Sequence, residues 1–299
     1  MGGGQWVRRS LRHRSADLRE EGHAAGPHTV RRLLGKQDFS MRANVQRLSG
    51  PRHPHRQEQF QYIRQQRQTF AETGCPILSV DAKKKEWIGH FRNAGRRCMR
   101  HAEEVNTYDF PEEAWCRATP YGLYDVQRNR ALVGVGTSAD TAAFAVDGVD
   151  TWMHSKATAS YGSFREMLIL ADGGGSNGYR SRLWKRQLQD LSDRSSVAIT
   201  VCQDPRGASK WNPVERRLFG PIRVNWAGVP LRTMEVMLGC IRDTSTRTGL
   251  RVEAKLIDKT YVTKVKVSQA EFRALSLRHH ETCPKWNYTI LPRTVPTPP

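Results

Sequence analysis

Two short apolar runs in this chain each end in an aspartate, and no other feature limits its folding options as much. Residues 76–80 (PILSV) lead into Asp81 and the cluster Lys83, Lys84, Lys85, while residues 167–171 (MLILA) lead into Asp172 and the glycines at 173–175. Short apolar runs without polar alternation are strands buried on both faces. Each aspartate therefore stands where a central strand leaves its sheet. Residues 121–126 (YGLYDV) and 131–136 (ALVGVG), separated by QRNR, read as an antiparallel hairpin. In residues 140–153, Phe144, Val149 and Trp152 recur at helical spacing behind Asp140, which is placed to cap that helix. Residues 181–193 carry Trp184, Leu188 and Leu191 on one helical face, and 197–202 (VAITVC) form a fifth strand. A further helix starts behind Asn212 with Pro213 at its first position.

The order strand, strand, strand, helix, strand, helix, strand, helix predicts an α/β fold of the ribonuclease-H-like type, a mixed sheet with flanking helices. A small helical segment precedes it. Residues 1–70 hold 14 Lys+Arg against 5 Asp+Glu, a large share of the chain's net +19, and such an excess points to a polyanionic partner. Within it, residues 10–21 and 29–36 read as two short helices around GHAAGPH, the outline of a helix-turn-helix. That outline places Arg31 and Arg32 on the second helix, facing phosphates or base edges; a solvated basic hairpin would read the same way.

The expected organisation is a partial helix-turn-helix-like segment over 1–50 and a linker with a connecting helix over 51–73. A core then spans 74–245, interrupted by an insertion at 82–120, and an appendage covers 246–299. No apolar stretch is long enough for a membrane span, and the N-terminus lacks the apolar region of a secretory signal. A cytoplasmic, nucleoid-associated protein is expected. The six cysteines are scattered without zinc-site spacing, which predicts reduced and mostly buried thiols; His279, His280 and Cys283 form too sparse a cluster for zinc.

Glu215, in the first turn of the helix after the fifth strand, joins Asp81 and Asp172 as a third acid that the topology can bring to one point. Taken singly, each has a plainer reading: Asp172 as a turn residue and Glu215 as a complement to the helix dipole. Together they form a set of oxygen ligands for hard divalent cations, and two Mg²⁺ ions held this way suit phosphodiester chemistry.

The segments 77–86 (ILSVDAKKKE), 141–146 (TAAFAV), 171–178 (ADGGGSNG), 209–219 (SKWNPVERRLF) and 286–290 (WNYTI) resemble the Rhodopirellula-type DDE transposases, the ISAzo group of bacterial insertion sequences. The resemblance runs in order over roughly residues 29–293. It implies a ribonuclease-H-like core with Asp81, Asp172 and Glu215 as catalytic metal ligands for two Mg²⁺ ions, or Mn²⁺ in their place. It also implies double-stranded DNA as partner, both element ends and target, cut and joined by way of a freed 3′-OH, with a homodimer at synapsis. A truncated copy that binds DNA without cleaving it, and a nuclease of the same fold, are the alternative readings.

The chain departs from the family pattern in two places. Its N-terminal DNA-binding region is shorter than usual, and Pro221 falls where the helix bearing Glu215 should continue; a short or kinked helix is expected, since proline removes a backbone donor and clashes with the preceding turn. Around the acids, Lys83, Lys84, Lys85, Lys210 and Arg216 are the phosphate-binding candidates. Trp211 is the candidate stacking platform, and Asn177 a candidate for orienting a metal-bound water. For the lysines a solvated face, and for Trp211 packing at the helix entry, read equally well.

Overall fold

Five strands at the centre of a nine-stranded sheet set the architecture. β1 (Ile77–Ala82), β3 (Cys116–Asp125) and β4 (Arg130–Gly136) pair antiparallel in succession, while β5 (Glu166–Ala171) and β6 (Ala198–Gln203) run parallel to β1 on its other side. The resulting order β4-β3-β1-β5-β6 is the ribonuclease-H-like arrangement. The computed structural model describes residues 10–39, 54–106, 111–205, 207–208 and 211–293.

The sheet extends past this centre at both edges. β7 (Arg251–Ile257) adds parallel to β4, and β9 (Asn287–Ile290) with β8 (Leu277–His279) adds antiparallel beyond β6. The stretch expected as a C-terminal appendage is thus woven into both edges of the sheet. Likewise, part of the expected insertion at 82–120 is strand: β2 (Glu86–Ile88) pairs with the start of β3. The three residues of β2 are too short a pattern to announce a strand, and the alternation along the seven residues of β7 does not disclose that its partner is the distant β4.

Alternation along β1 and β5 divides the core. Leu78, Val80, Met167 and Ile169 face α4 (Ala142–Trp152) and α6 (Arg182–Ser195), whose Phe144, Val149, Trp152, Trp184, Leu188 and Leu191 close that side. On the opposite face, Ile77, Leu168 and Leu170 lie under α3 (Arg56–Glu72) through Ile63 and Phe70. There α3 is anchored by Gln59, which is fully buried and donates to the Gln203 carbonyl at 2.9 Å and to Asn287 Oδ1 at 2.7 Å. The rest of that face, over β3, β4 and β7, is covered by the helix of residues 213–225 and by α8 (Met234–Arg242).

Several local details differ from expectation. Thr141, not Asp140, caps α4, its hydroxyl accepting from the Phe144 N–H at 3.2 Å. After Trp152 the helix continues through a π turn (Met153–Ala157) and α5 (Thr158–Tyr161). In the C-terminal stretch stands one short helix, α9 (Gln269–Arg273). All six cysteines are free thiols, but only Cys202 is buried, so the expectation of mostly buried thiols does not hold.

Residues Met1–Ser49 form a separate unit. In it α1 (Leu11–Glu20) starts at Ser10, whose hydroxyl accepts from the His13 N–H, and α2 (Pro27–Lys36) starts with proline at its first position. Ser15 ties the pair together by donating to the Ala25 carbonyl at 2.6 Å.

Gly122 sits opposite Asp81 in the β1–β3 register. A Cβ there would lie 2.8–2.9 Å from side-chain atoms of Val214, Leu218 and Phe219, so the missing side chain is what lets the helix of residues 213–225 lie against β3. Gly122→Ala is expected to cost about 1–3 kcal/mol through overpacking, read as a lower urea midpoint. An unchanged midpoint would show that the helix does not need this close approach.

Candidate active site

Strand register brings the two sequence-predicted aspartates together. Val80 pairs with Ala171 across β1 and β5, so Asp81 and Asp172, each one residue further on, leave adjacent parallel strands side by side on one face. Asp172 also shapes its own loop, its Oδ1 accepting from the Gly174 N–H at 2.9 Å. The turn reading and the ligand reading of this residue are therefore compatible.

Glu215 is delivered by a polar lock. Ser79 lies two residues before Asp81 and so on the same face of β1; its hydroxyl donates to Asn212 Oδ1 and accepts from the Val214 N–H at 3.0 Å. Asn212 in turn donates to the Val80 carbonyl at 3.1 Å. Asn212 thus spends its side chain on β1 rather than on capping the helix. With residues 212 and 214 pinned there, Glu215 is held beside Asp81.

Pro221 does not end this helix. The turn Glu215–Phe219 widens to π geometry, in which the Gly220 N–H reaches back five residues to the Glu215 carbonyl, and α7 (Gly220–Asn225) carries on beyond it. Widening the turn just ahead of a proline relieves the clash between its ring and the carbonyl four residues back. Of the short or kinked helix that Pro221 led one to expect, the shortening is absent and the disturbance is a local π turn, which Glu215 opens.

The electrostatics are those of crowded acids. Asp81 is 8% exposed; burial first, then the charges of Asp172 and Glu215, push its carboxyl up to about 8. Below that pH a proton on Asp81 is shared in a hydrogen bond with Glu215, while its Oδ1 accepts from the Ala82 N–H at 2.7 Å. Glu215 is itself raised by burial and by Asp172, against the Asp81 hydrogen bond and the charges of Lys83 and Arg223.

Two further acids belong to this neighbourhood, and sequence reading missed both. Asp140, released from the capping role, is raised by burial and by Asp172's charge, while Ser176 and Lys85 oppose the shift. Asp204 follows β6; burial first, then Asp172, push it up to about 7, against the pull of Arg67. A signal for Asp204 was present in the sequence: the run 197–202 also leads to an acid, one residue late because Gln203 intervenes.

The basic candidates are spread differently. Lys84, Arg216 and Trp211 are exposed near the acids, with Trp211 making an edge contact to Phe60 at 6.0 Å between ring centroids. Lys83 is mostly buried, paired with Glu86 and lying over the Trp226 ring at 4.7 Å, so it supports the site from within. Lys85 is half-buried and acts on Asp140. Arg31 and Arg32 are exposed on α2, and Lys210 lies outside the described residues. Asn177 is buried, its Oδ1 accepting from Tyr121 at 2.8 Å and from Ser176 at 3.2 Å, so its oxygen is engaged in holding the loop after Asp172.

A model of the family described as the Rhodopirellula transposase DDE domain matches residues 3–292, nearly the whole chain. The chain belongs to this family. It is accordingly a DDE transposase, an enzyme that cuts DNA and transfers strands and that works with divalent metal ions. No curated protein matches it. Among solved structures, the Mos1 transposase paired-end complex with left transposon end is similar at 13% identity and TM-score 0.44, and the Mos1 strand transfer complex at 13% and 0.45. Each alignment covers 79% of this chain and 70% of the other.

Elsewhere in the transposase, among the described residues, His55, Glu58 and Cys283 are the one His/Cys/Asp/Glu group whose ligand atoms all lie within 4.8 Å of one another. It is partly exposed, and His55 is already hydrogen-bonded to Glu58 at 2.9 Å. His280, by contrast, is bonded to Tyr62 and Thr289. Asp81, Asp172 and Glu215 do not form a group of this closeness. No described helix is long and apolar enough to cross a membrane.

Proposed function

We propose that Asp81, Asp172 and Glu215 are the catalytic carboxylates of this transposase and hold two Mg²⁺ ions, with Mn²⁺ able to replace them. The observation that carries this reading is the in-register placing of Asp81 and Asp172, with Glu215 brought beside Asp81 by the Ser79–Asn212 contacts. The donor set fits the ions: the oxygens are acceptors when ionised, partly buried, and mutually repelling until a cation joins them. Such ions, when bound, activate an attacking oxygen and stabilise a leaving one. The protein's part is to hold the three acids in place, through strand register for the aspartates and through the Ser79–Asn212 lock for Glu215.

Exposed Lys84 and Arg216 would grip phosphates next to these acids, with Lys210 beside them in sequence, and Trp211 would present a ring to an unstacked base. Arg31 and Arg32 on α2 would contact the element ends, in the manner of a helix-turn-helix. The substrates on this reading are the ends of the chain's own insertion sequence and a target duplex in the nucleoid, with two copies of the chain joining the ends at synapsis.

Purified protein incubated with Mg²⁺ and a supercoiled plasmid bearing the element ends is expected to yield cuts at those ends and joined products. Asp172→Asn should yield neither. Binding of the ends without cleavage by the unsubstituted chain would instead identify a copy that only binds DNA, and cleavage that survives in Asp172→Asn would remove Asp172 from the site.

A further inference from the structure

The row of strand-end acids does not stop at Asp172. Ala171 pairs with Gln203 across β5 and β6, and the Asp204 N–H donates to the Ala171 carbonyl at 2.8 Å. Asp81, Asp172 and Asp204 therefore stand one residue past the last parallel-paired positions of the adjacent strands β1, β5 and β6, one acid per strand. Asp204 is 9% exposed, yet its Oδ2 is buried without a hydrogen-bond partner.

It is not alone. Gln203 is fully buried, with its amide anchored by Nε2 donating to the Asn177 carbonyl at 2.8 Å while its Oε1 has no partner. That oxygen would lie 3.5 Å from a Cβ at Gly173, the residue after Asp172; Gly173 has φ +77 and carries no side chain to fill the space. Asp140, which also feels Asp172's charge, has a buried Oδ1 without a partner as well.

Buried acceptors left unpaired are costly, and native proteins rarely keep them without a use. Here two such oxygens belong to acids that feel Asp172's charge, Asp204 and Asp140, and the third, on Gln203, faces the residue after Asp172. What they lack is donors, and the donors that a site for hard divalent cations supplies are the cation's own water molecules, since Mg²⁺ dehydrates reluctantly.

We propose that Asp204, seconded by Gln203 and Asp140, is a positioning residue that accepts hydrogen bonds from the hydration waters of the ion held at Asp172. The inference rests on the metal-site reading above and extends it to residues outside the three acids. Outer-shell partners of this kind set metal affinity over a range of about 10–100-fold. A purely structural use must be separated from this one: Arg67 of α3 acts on Asp204 as a cation, and a role as its structural counter-charge would leave metal binding untouched.

The test is Mn²⁺ binding to the full chain, followed by the electron paramagnetic resonance of the free ion, together with the thermal midpoint of metal-free protein. Asp204→Ala should bind Mn²⁺ about 10–100-fold more weakly than the unsubstituted chain. Asp204→Asn, which keeps one acceptor oxygen, should fall between them. The metal-free midpoint of Asp204→Asn should hold or rise, because a buried acid beside Asp172 is removed.

Mn²⁺ affinity unchanged in both variants, or unchanged in Asp204→Asn with a lowered metal-free midpoint, would overturn the proposal in favour of a structural pairing with Arg67. If Asp204→Ala does not fold, Asp204→Asn decides alone. Asp172→Asn serves as the control for the underlying site. If the unsubstituted chain binds no Mn²⁺, or Asp172→Asn binds it equally well, the metal-site reading itself falls. If that control behaves and the Asp204 variants bind normally, only this inference falls.

Discussion

Asp81→Asn is expected to abolish strand cleavage and, in the same protein, to raise the thermal midpoint of the metal-free state. The activity loss should be about a thousandfold or more, since each 1.36 kcal/mol of lost transition-state stabilisation is tenfold and a metal site missing a ligand forfeits several kcal/mol. The gain in stability comes from the same burial and crowding that fit Asp81 to cations. Its carboxyl is pushed from an ordinary 3.8 up to about 8, so between those values the unfolded chain gives up a proton that the folded chain retains. Folding stability then falls as pH rises across that window, by up to about 1.4 kcal/mol per pH unit. Asparagine has no such proton to retain. Its amide can donate to Glu215 and its oxygen can accept the Ala82 N–H, as protonated Asp81 does. The midpoint difference between variant and unsubstituted protein should therefore be small near pH 4, grow towards pH 8 and shrink when Mg²⁺ is added, because the ion replaces the proton. Melting curves over that pH range, with and without Mg²⁺, check it. A variant less stable than the unsubstituted chain at pH 8 would mean that Asp81 is held for structure and not against it.

The part of this site that the amino-acid pattern could disclose was the part built from local physics. Asp81 and Asp172 follow uninterrupted apolar runs, and such runs become central strands whatever surrounds them. Asp204 ends a run of the same kind, but one polar residue, Gln203, blurred the end of the strand and hid the acid. Asp140 was obscured by an ambiguity of type: aspartate and threonine are both good helix caps, and only the packed backbone selects Thr141. The π turn at Glu215–Phe219 had a single trace, Pro221, which reads as a helix breaker until the widened turn is seen to accommodate it. Edge strands β2 and β8 have three residues each, too few to show a period of their own, and exist through their pairing with β3 and β9. Least visible was the contact between Ser79 and Asn212, 133 residues apart, because a serine inside an apolar run and an asparagine before a proline each have a complete local explanation.

That contact carries the second large expected effect. Ser79→Ala leaves Asn212 Oδ1 and the Val214 N–H buried without their partner, and each orphaned group costs about 1–3 kcal/mol. A stability loss of about 2–6 kcal/mol follows. Activity should fall further than stability explains: the lock is what registers the helix of residues 213–225 on β1, and displacement of a catalytic group by about 1 Å can cost a hundredfold. The comparison that isolates this is Thr200→Val, which breaks the buried Thr200–Thr289 hydrogen bond of 2.8 Å between β6 and β9, away from the acids. Thr200→Val should lower the urea midpoint and leave the cleavage rate of the folded protein unchanged. Ser79→Ala should lower both. Combining Ser79→Ala with Asn212→Ala should cost less than the sum of the two single changes, since the first already breaks the shared bond. A Ser79→Ala enzyme that cleaves at the full rate once folded would reduce the lock to a packing device and leave the π turn and the close approach over Gly122 as the features that place Glu215.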